Sequence, residues 1–173
     1  DGASFAGATP LANGVKFAYR LEAATQTDYG SSPLRYTARY HLIEAGLAGS
    51  PGSLTLGEEV LGSDHDIGFK TPLATLHAFN GWADIFLTTP ATGLSDRYLK
   101  ATASLPGAVS LLAFYHQFDP ATGGGDLGHE LDVQLTRKFG KSVTALAKFA
   151  VFRRDTSAYP TVPQPWAQVE YVF

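Results

Sequence analysis

PWAQVEYVF, residues 165–173, places Ala167, Val169, Tyr171 and Phe173 on one parity and Gln168 and Glu170 on the other. A two-residue period is the mark of a β-strand with one apolar face, because successive side chains point to opposite sides of the sheet. Chain ends are usually polar and frayed. Here the alternation runs through to an aromatic last residue, so the final strand is expected to carry a buried or lipid-covered face to its end.

The same period recurs upstream. VKFAYRLEA (15–23) sets Phe17, Tyr19, Leu21 and Ala23 against Lys16, Arg20 and Glu22. RYTARYHL (35–42) sets Tyr36, Ala38, Tyr40 and Leu42 against Arg35, Thr37, Arg39 and His41. LKATASL (99–105), ELDVQLTRKF (130–139) and VTALAKFAV (143–151) alternate as cleanly, while SLTLGEEVL (53–61) and VSLLAFYHQF (109–118) are strand-like with blurred parity. With the last stretch, about eight strands are expected. GSPGS (49–53), LPGA (105–108) and FGKS (139–142) are tight turns with glycine or proline where the backbone must reverse. The alternate connections are longer and polar, and one runs from about Ser63 to Asp96. Short turns at one end and long loops at the other describe an antiparallel up-and-down meander, the layout of an outer-membrane barrel. Neither linker nor internal repeat interrupts it, so residues 1–173 read as one domain.

Composition narrows the classes. The net charge is −3, which offers nucleic acid no basic field. There is no cysteine, hence no disulfide or thiolate chemistry, and no methionine, which is expected of a chain whose upstream part has been removed. No apolar run approaches the length of a membrane-crossing helix, which leaves membrane-crossing strands open. The apolar faces are alanine-rich with Leu and Val, and the aromatics Phe139, Tyr171 and Phe173 gather near strand ends. That distribution fits a lipid-facing band with an aromatic girdle better than the core of a soluble barrel or sandwich. Glu58 breaks the rule: simple alternation sends it outward with Leu54, Leu56 and Val60 unless a bulge at Gly57 shifts the register.

The ending VEYVF resembles the carboxy-terminal signal of bacterial outer-membrane barrels. TPLATLHAFNGWADIFLTTPATGLSDRYLKA (71–101), with YRLEAATQTDYG (19–30), EEVLGSD (58–64) and GGDLGHELDVQLTRKFGKSVTALAKFAVF (124–152), resembles the alginate-export family of outer-membrane porins. The likeness spans Val15 to Phe173. It implies a barrel larger than eight strands, of which this chain is the closing, carboxy-terminal part. It also implies passive diffusion or export of solutes, among them an anionic polysaccharide or oligosaccharide such as alginate, and location in the bacterial outer membrane. The implied partners are outer-membrane lipid and lipopolysaccharide, the barrel-assembly machinery reading Tyr171 and Phe173, and the polysaccharide itself, with no nucleic acid. Transport of this kind needs no cofactor and no metal.

On these expectations the polar parity lines a pore, with Lys16, Arg20, Arg35, Arg39 and Lys100 supplying positive charge and Glu22, Glu130 and Asp132 negative charge. Arg20, Arg35, Arg39 and Lys100 make a basic ladder that would grip sugar carboxylates, arginine in a two-bond fork. The plainer reading pairs these charges across strands to satisfy a polar interior. Phe79, Trp82 and Phe86, in the long connection, either stack on sugar rings and constrict the entrance or pack the loop onto the barrel. AFNGWADIF (78–86) has the spacing of a short amphipathic helix. Asp64-His65-Asp66 is too extended for a metal site, and no serine falls in a nucleophile motif beside His41, His116 or His129, so an enzyme is not expected. The rival to a porin is a small closed eight-stranded barrel, filled by its own side chains and serving as an anchor, adhesin or scaffold.

Overall fold

A computed structural model describes residues 1–72 and 80–173. The elements run β1 (Gly2–Pro10), one 3-10 turn (Ala12–Gly14), β2 (Lys16–Thr27), β3 (Thr37–Gly49), β4 (Gly52–Leu61), β5 (Ser63–Asp64), β6 (Ile67–Gly68), β7 (Leu94–Leu105), β8 (Val109–Asp119), β9 (Gly128–Phe139), β10 (Val143–Arg154) and β11 (Val162–Tyr171). β5 and β6 form a separate two-residue hairpin. The other nine strands make one sheet in chain order, and every neighbouring pair is antiparallel.

The protein is therefore an all-β, antiparallel, up-and-down meander. Among the described residues β1 and β11 each have one unpaired edge, so the sheet is open. All eight segments read from the sequence are strands. β1 is the ninth, and its sequence GASFAGATP hid it by carrying a single large apolar side chain. Pairing holds it: Phe5 sits opposite Leu21, and its ring lies 5.5 Å from that of Tyr19.

Register fixes the two faces. On the outer face Leu56, Leu99, Tyr115, Leu131 and Val151 lie directly opposite one another across five strands. The next row, Leu54, Ala101, Ala113, Val133 and Phe149, repeats the pattern. This surface is exposed, with Leu56 at 66% and Val169 at 74%, whereas Asp96, Glu130 and Asp132 on the opposite face are at 1%, 0% and 0%. From Val151 to Val143 the apolar parity of β10 runs about 26 Å along the strand.

One alternative left open is settled and two local expectations need correction. Glu58 does face outward without a bulge, since it sits squarely opposite Ile43 and Arg97. RYTARYHL has the reverse of its expected parity: Ala38 and Leu42 are buried on the inner face, and Arg39 and His41 lie outside. The strand continues to Gly49, and its outward apolar set is Ile43, Ala45 and Leu47 on the odd parity. Charges tolerated at its loop end had disguised that. Finally, AFNGWADIF forms no helix over its described residues 80–86, because Asn80, Gly81 and Asp84 take positive φ of 54°, 86° and 58°. Phe79 lies outside the described residues.

Candidate functional site

Between β4 and β7 the chain returns onto the inner face. Leu61, Trp82, Ala83, Phe86, Leu94, Phe118, Ala150 and Phe152 bury together there. Phe86 lies 4.7 Å from Phe118 and 5.8 Å, edge-on, from Phe152. Trp82 and Phe86 are thus packed against protein, 7% and 6% exposed, and a sugar could not stack on them without displacing the loop. The packing half of the sequence expectation holds for these two rings.

Two carboxylates anchor this loop. Ala83 N–H donates to Glu130 Oε1 at 2.7 Å, and Trp82 N–H donates to Asp132 Oδ2 at 3.2 Å. Residues i and i+2 on β9 share a face, so one strand presents both acceptors side by side. Gly81 makes the approach possible: a Cβ there would stand 2.6–2.8 Å from the Glu130 carboxylate, and its φ of +86° disfavours any side chain. On the other flank Asn80 Nδ2 donates to Glu59 Oε2 at 2.9 Å. Lys148 Nζ stands 4.0 Å above the Trp82 ring and 5.7 Å from Trp166, a cation held against aromatic faces.

From Asp132 a polar chain runs across the sheet. His116 Nε2 lies 3.6 Å from Asp132 Oδ2, and its Nδ1 is 2.9 Å from both oxygens of Asp96. The ring is stacked between Phe114 and Phe118, at 5.3 and 5.4 Å. Tyr40 donates to Glu59 at 2.9 Å and reaches Glu22 at 3.3 Å. Tyr98 crosses over β4 to donate to Glu44 on β3 at 2.7 Å. It can do so because Gly57 lies beneath it, where a Cβ would come within 2.2 Å of the ring. His116, Asp96, Tyr40, Glu59, Tyr98 and Glu44 line a cavity of ≈ 220 Å³ with Arg20, Lys100 and Asn80 on its wall. Glu130 Oε2 and Asp132 Oδ1 are buried with no hydrogen-bond partner among the described residues. Such a face is a hydrophilic, strongly paired wall, with carboxylates ahead of cations.

The predicted site residues divide. Lys16, Arg20, Glu22, Lys100, Glu130 and Asp132 share the inner face, and Arg20 is already paired with Glu22 at 2.6 Å. Arg39 is on the outer face, and Arg35 leaves the strand to pair with Asp28 at 2.7 Å, so the basic ladder loses two of its four rungs. Tyr171 and Phe173 are exposed with rings 6.4 Å apart, and Tyr171 lies opposite Val143. The sequence reading missed Glu44, Asp96 and Tyr98, and weighed His116 only as a possible catalytic partner of a serine. Their signal was parity alone: Asp96 and Tyr98 stand four and two residues before Lys100 on the same face.

At the loop end Asp64 accepts Thr37 N–H at 2.7 Å, and that bond first, then His65, holds its carboxyl below the usual range. Burial pushes the Tyr159 phenol up. Comparison with protein-family models, with curated proteins and with solved structures found no match.

Proposed function

We propose that this chain forms part of the wall of an outer-membrane porin, through which small hydrophilic solutes diffuse along the inner face. The observation that carries the reading is the inversion of the usual order. The continuous exposed face is apolar, while the packed face holds Asp96, Glu130 and Asp132 below 2% exposure. A protein in water gains nothing by this arrangement, whereas lipid on one side and a hydrophilic interior on the other account for both halves.

The alternative of a closed eight-stranded barrel fits less well. β2 and β11 would have to meet, but β1 occupies that edge of β2. With nine antiparallel strands the two edge strands run the same way, so antiparallel closure calls for an odd number of further strands. This favours a larger barrel, as the family resemblance implies. That resemblance also implies an anionic polysaccharide such as alginate as cargo. Of the proposed basic ladder only Arg20 and Lys100 remain on the inner face, and Arg20 is neutralised by Glu22. The wall alone favours small neutral or cationic solutes over a polyanion.

Blots of native outer membranes, heated and unheated, test the reading. A heat-shifted band well above the 18.4 kDa of this chain is expected. A shifted band at that mass would support the small barrel, and absence from the membrane would remove both.

A further inference from the structure

We infer that the strand closing the barrel on β11 pairs only with its short-turn half, and that Pro163 and Pro165 leave a lateral seam in the wall towards the loop end; this rests on reading the sheet as part of a larger barrel. In an antiparallel ladder, residues that exchange backbone bonds with one neighbour alternate with residues that turn N–H and C=O to the other side. Val172 N–H donates to Ser142 C=O at 2.8 Å, one step beyond the Tyr171–Val143 pair. Alternation from that bond turns the even residues of β11 toward β10 and the odd residues, 163 to 171, toward the open edge. Ala167, Val169 and Tyr171 therefore each present that edge with a donor and an acceptor. Pro163 and Pro165 present carbonyls alone, since proline has no N–H.

The other edge of the sheet differs. Asp1 N donates to Thr25 C=O at 2.9 Å and Thr25 N–H to Asp1 C=O at 2.8 Å, so Gly2, Ser4, Ala6 and Ala8 face the open edge of β1 with donors intact. Pro10 interrupts that edge only at the short-turn end. On β11 it is the loop half that is blunted. Each proline ring fills the place of the missing N–H and holds a neighbouring strand off, and the neighbour's carbonyl opposite it finds no donor. Hydrocarbon does not tolerate unpaired backbone, so the closing strand must diverge from β11 to where water meets those carbonyls. From Val162 to Trp166 the seam runs about 13 Å along the strand. Gln164 lies at its middle on the inner-face parity, a polar side chain that holds water there. The closing partner is a further strand of the same barrel. A second copy of this chain in the same orientation would meet β11 with its β1 in parallel, because β1 and β11 run the same way.

The test uses the protein in its native outer membranes, followed by residue-resolved amide exchange and by the temperature at which the folded band is lost on unheated gels. In the unaltered protein the amides of Ala167, Val169 and Tyr171 should exchange slowly, since the closing strand holds them. Pro163→Thr with Pro165→Thr supplies the two missing donors. The double variant should lose its folded band about 5 °C higher. Its amides at 163 and 165 should exchange about tenfold more slowly than that of Thr161 in the preceding loop. Fast exchange at 167, 169 and 171 in the unaltered protein would overturn the pairing. An unchanged or lowered temperature in the variant, or a raised one with fast exchange at 163 and 165, would overturn the seam. Absence of the chain from the outer-membrane fraction would instead overturn the membrane reading beneath both.

Discussion

The two faces of this sheet obey the same alternation and are held by different physics. The outer face is a plain surface of Leu, Ala, Val and Phe whose side chains meet few specific partners. The inner face is a chain of named contacts: Ala83 to Glu130, Trp82 to Asp132, His116 to Asp96, Tyr98 to Glu44. One face depends on what surrounds the protein, so any apolar side chain of suitable size serves. The other depends on geometry within the protein, so single substitutions matter.

Charge placement is the largest contrast. On the porin reading, Leu135→Arg puts a cation in the middle of a lipid-covered band and should cost about 2–4 kcal/mol. Gln134→Arg, one residue away on the inner face, should cost little. Folded yield in lipid vesicles measures both, and equal effects would erase the distinction between the faces. A smaller effect is expected at the loop. Gly81→Ala must strain a positive-φ backbone by about 1–3 kcal/mol and press a methyl onto the Glu130 carboxylate. The loop should lift, moving Trp82 emission to longer wavelength in a Trp166→Phe background, whereas Gly140→Ala, with open space around it, should leave that emission unchanged.

The smallest effect lies outside both faces. Asp64 has its carboxyl held low by Thr37 N–H, so its contribution is present above the ordinary carboxylate range and is lost as pH falls through the lowered value. Exchange of the Thr37 amide should therefore quicken in acid, beyond its intrinsic pH dependence. Asp64→Asn should abolish that additional acid sensitivity. Persistence of the acid response in the variant would assign it to another group.

How much of this was legible varies along the chain. β9 and β10 were readable to within three residues, because they alternate cleanly and share the glycine-containing turn FGKS. β3 was found but turned over. Its first half carries Arg39 and His41 outward and apolar Ala38 and Leu42 inward, both buried. Hydrophobicity names the face only where the surroundings are uniform along the strand. β1 was missed because glycine and alanine carry almost no periodic signal. Over its described residues 80–86 the expected helix failed because NGWAD puts three residues at positive φ, a local choice held by Glu130 and Asp132 fifty residues away on β9 and by Glu59 on β4.

The amino-acid order by itself determined the strand count of the main sheet to within one, the antiparallel meander and the unequal ends, because these follow from period-two alternation and turn chemistry, which act between near neighbours. Only the tertiary structure decided which side of β3 faces in, that Glu58 meets Arg97, and that Trp82 and Phe86 pack inward. Each depends on cross-strand register and on a loop returning over the sheet. Such contacts join residues far apart in sequence and leave no periodic trace within either segment.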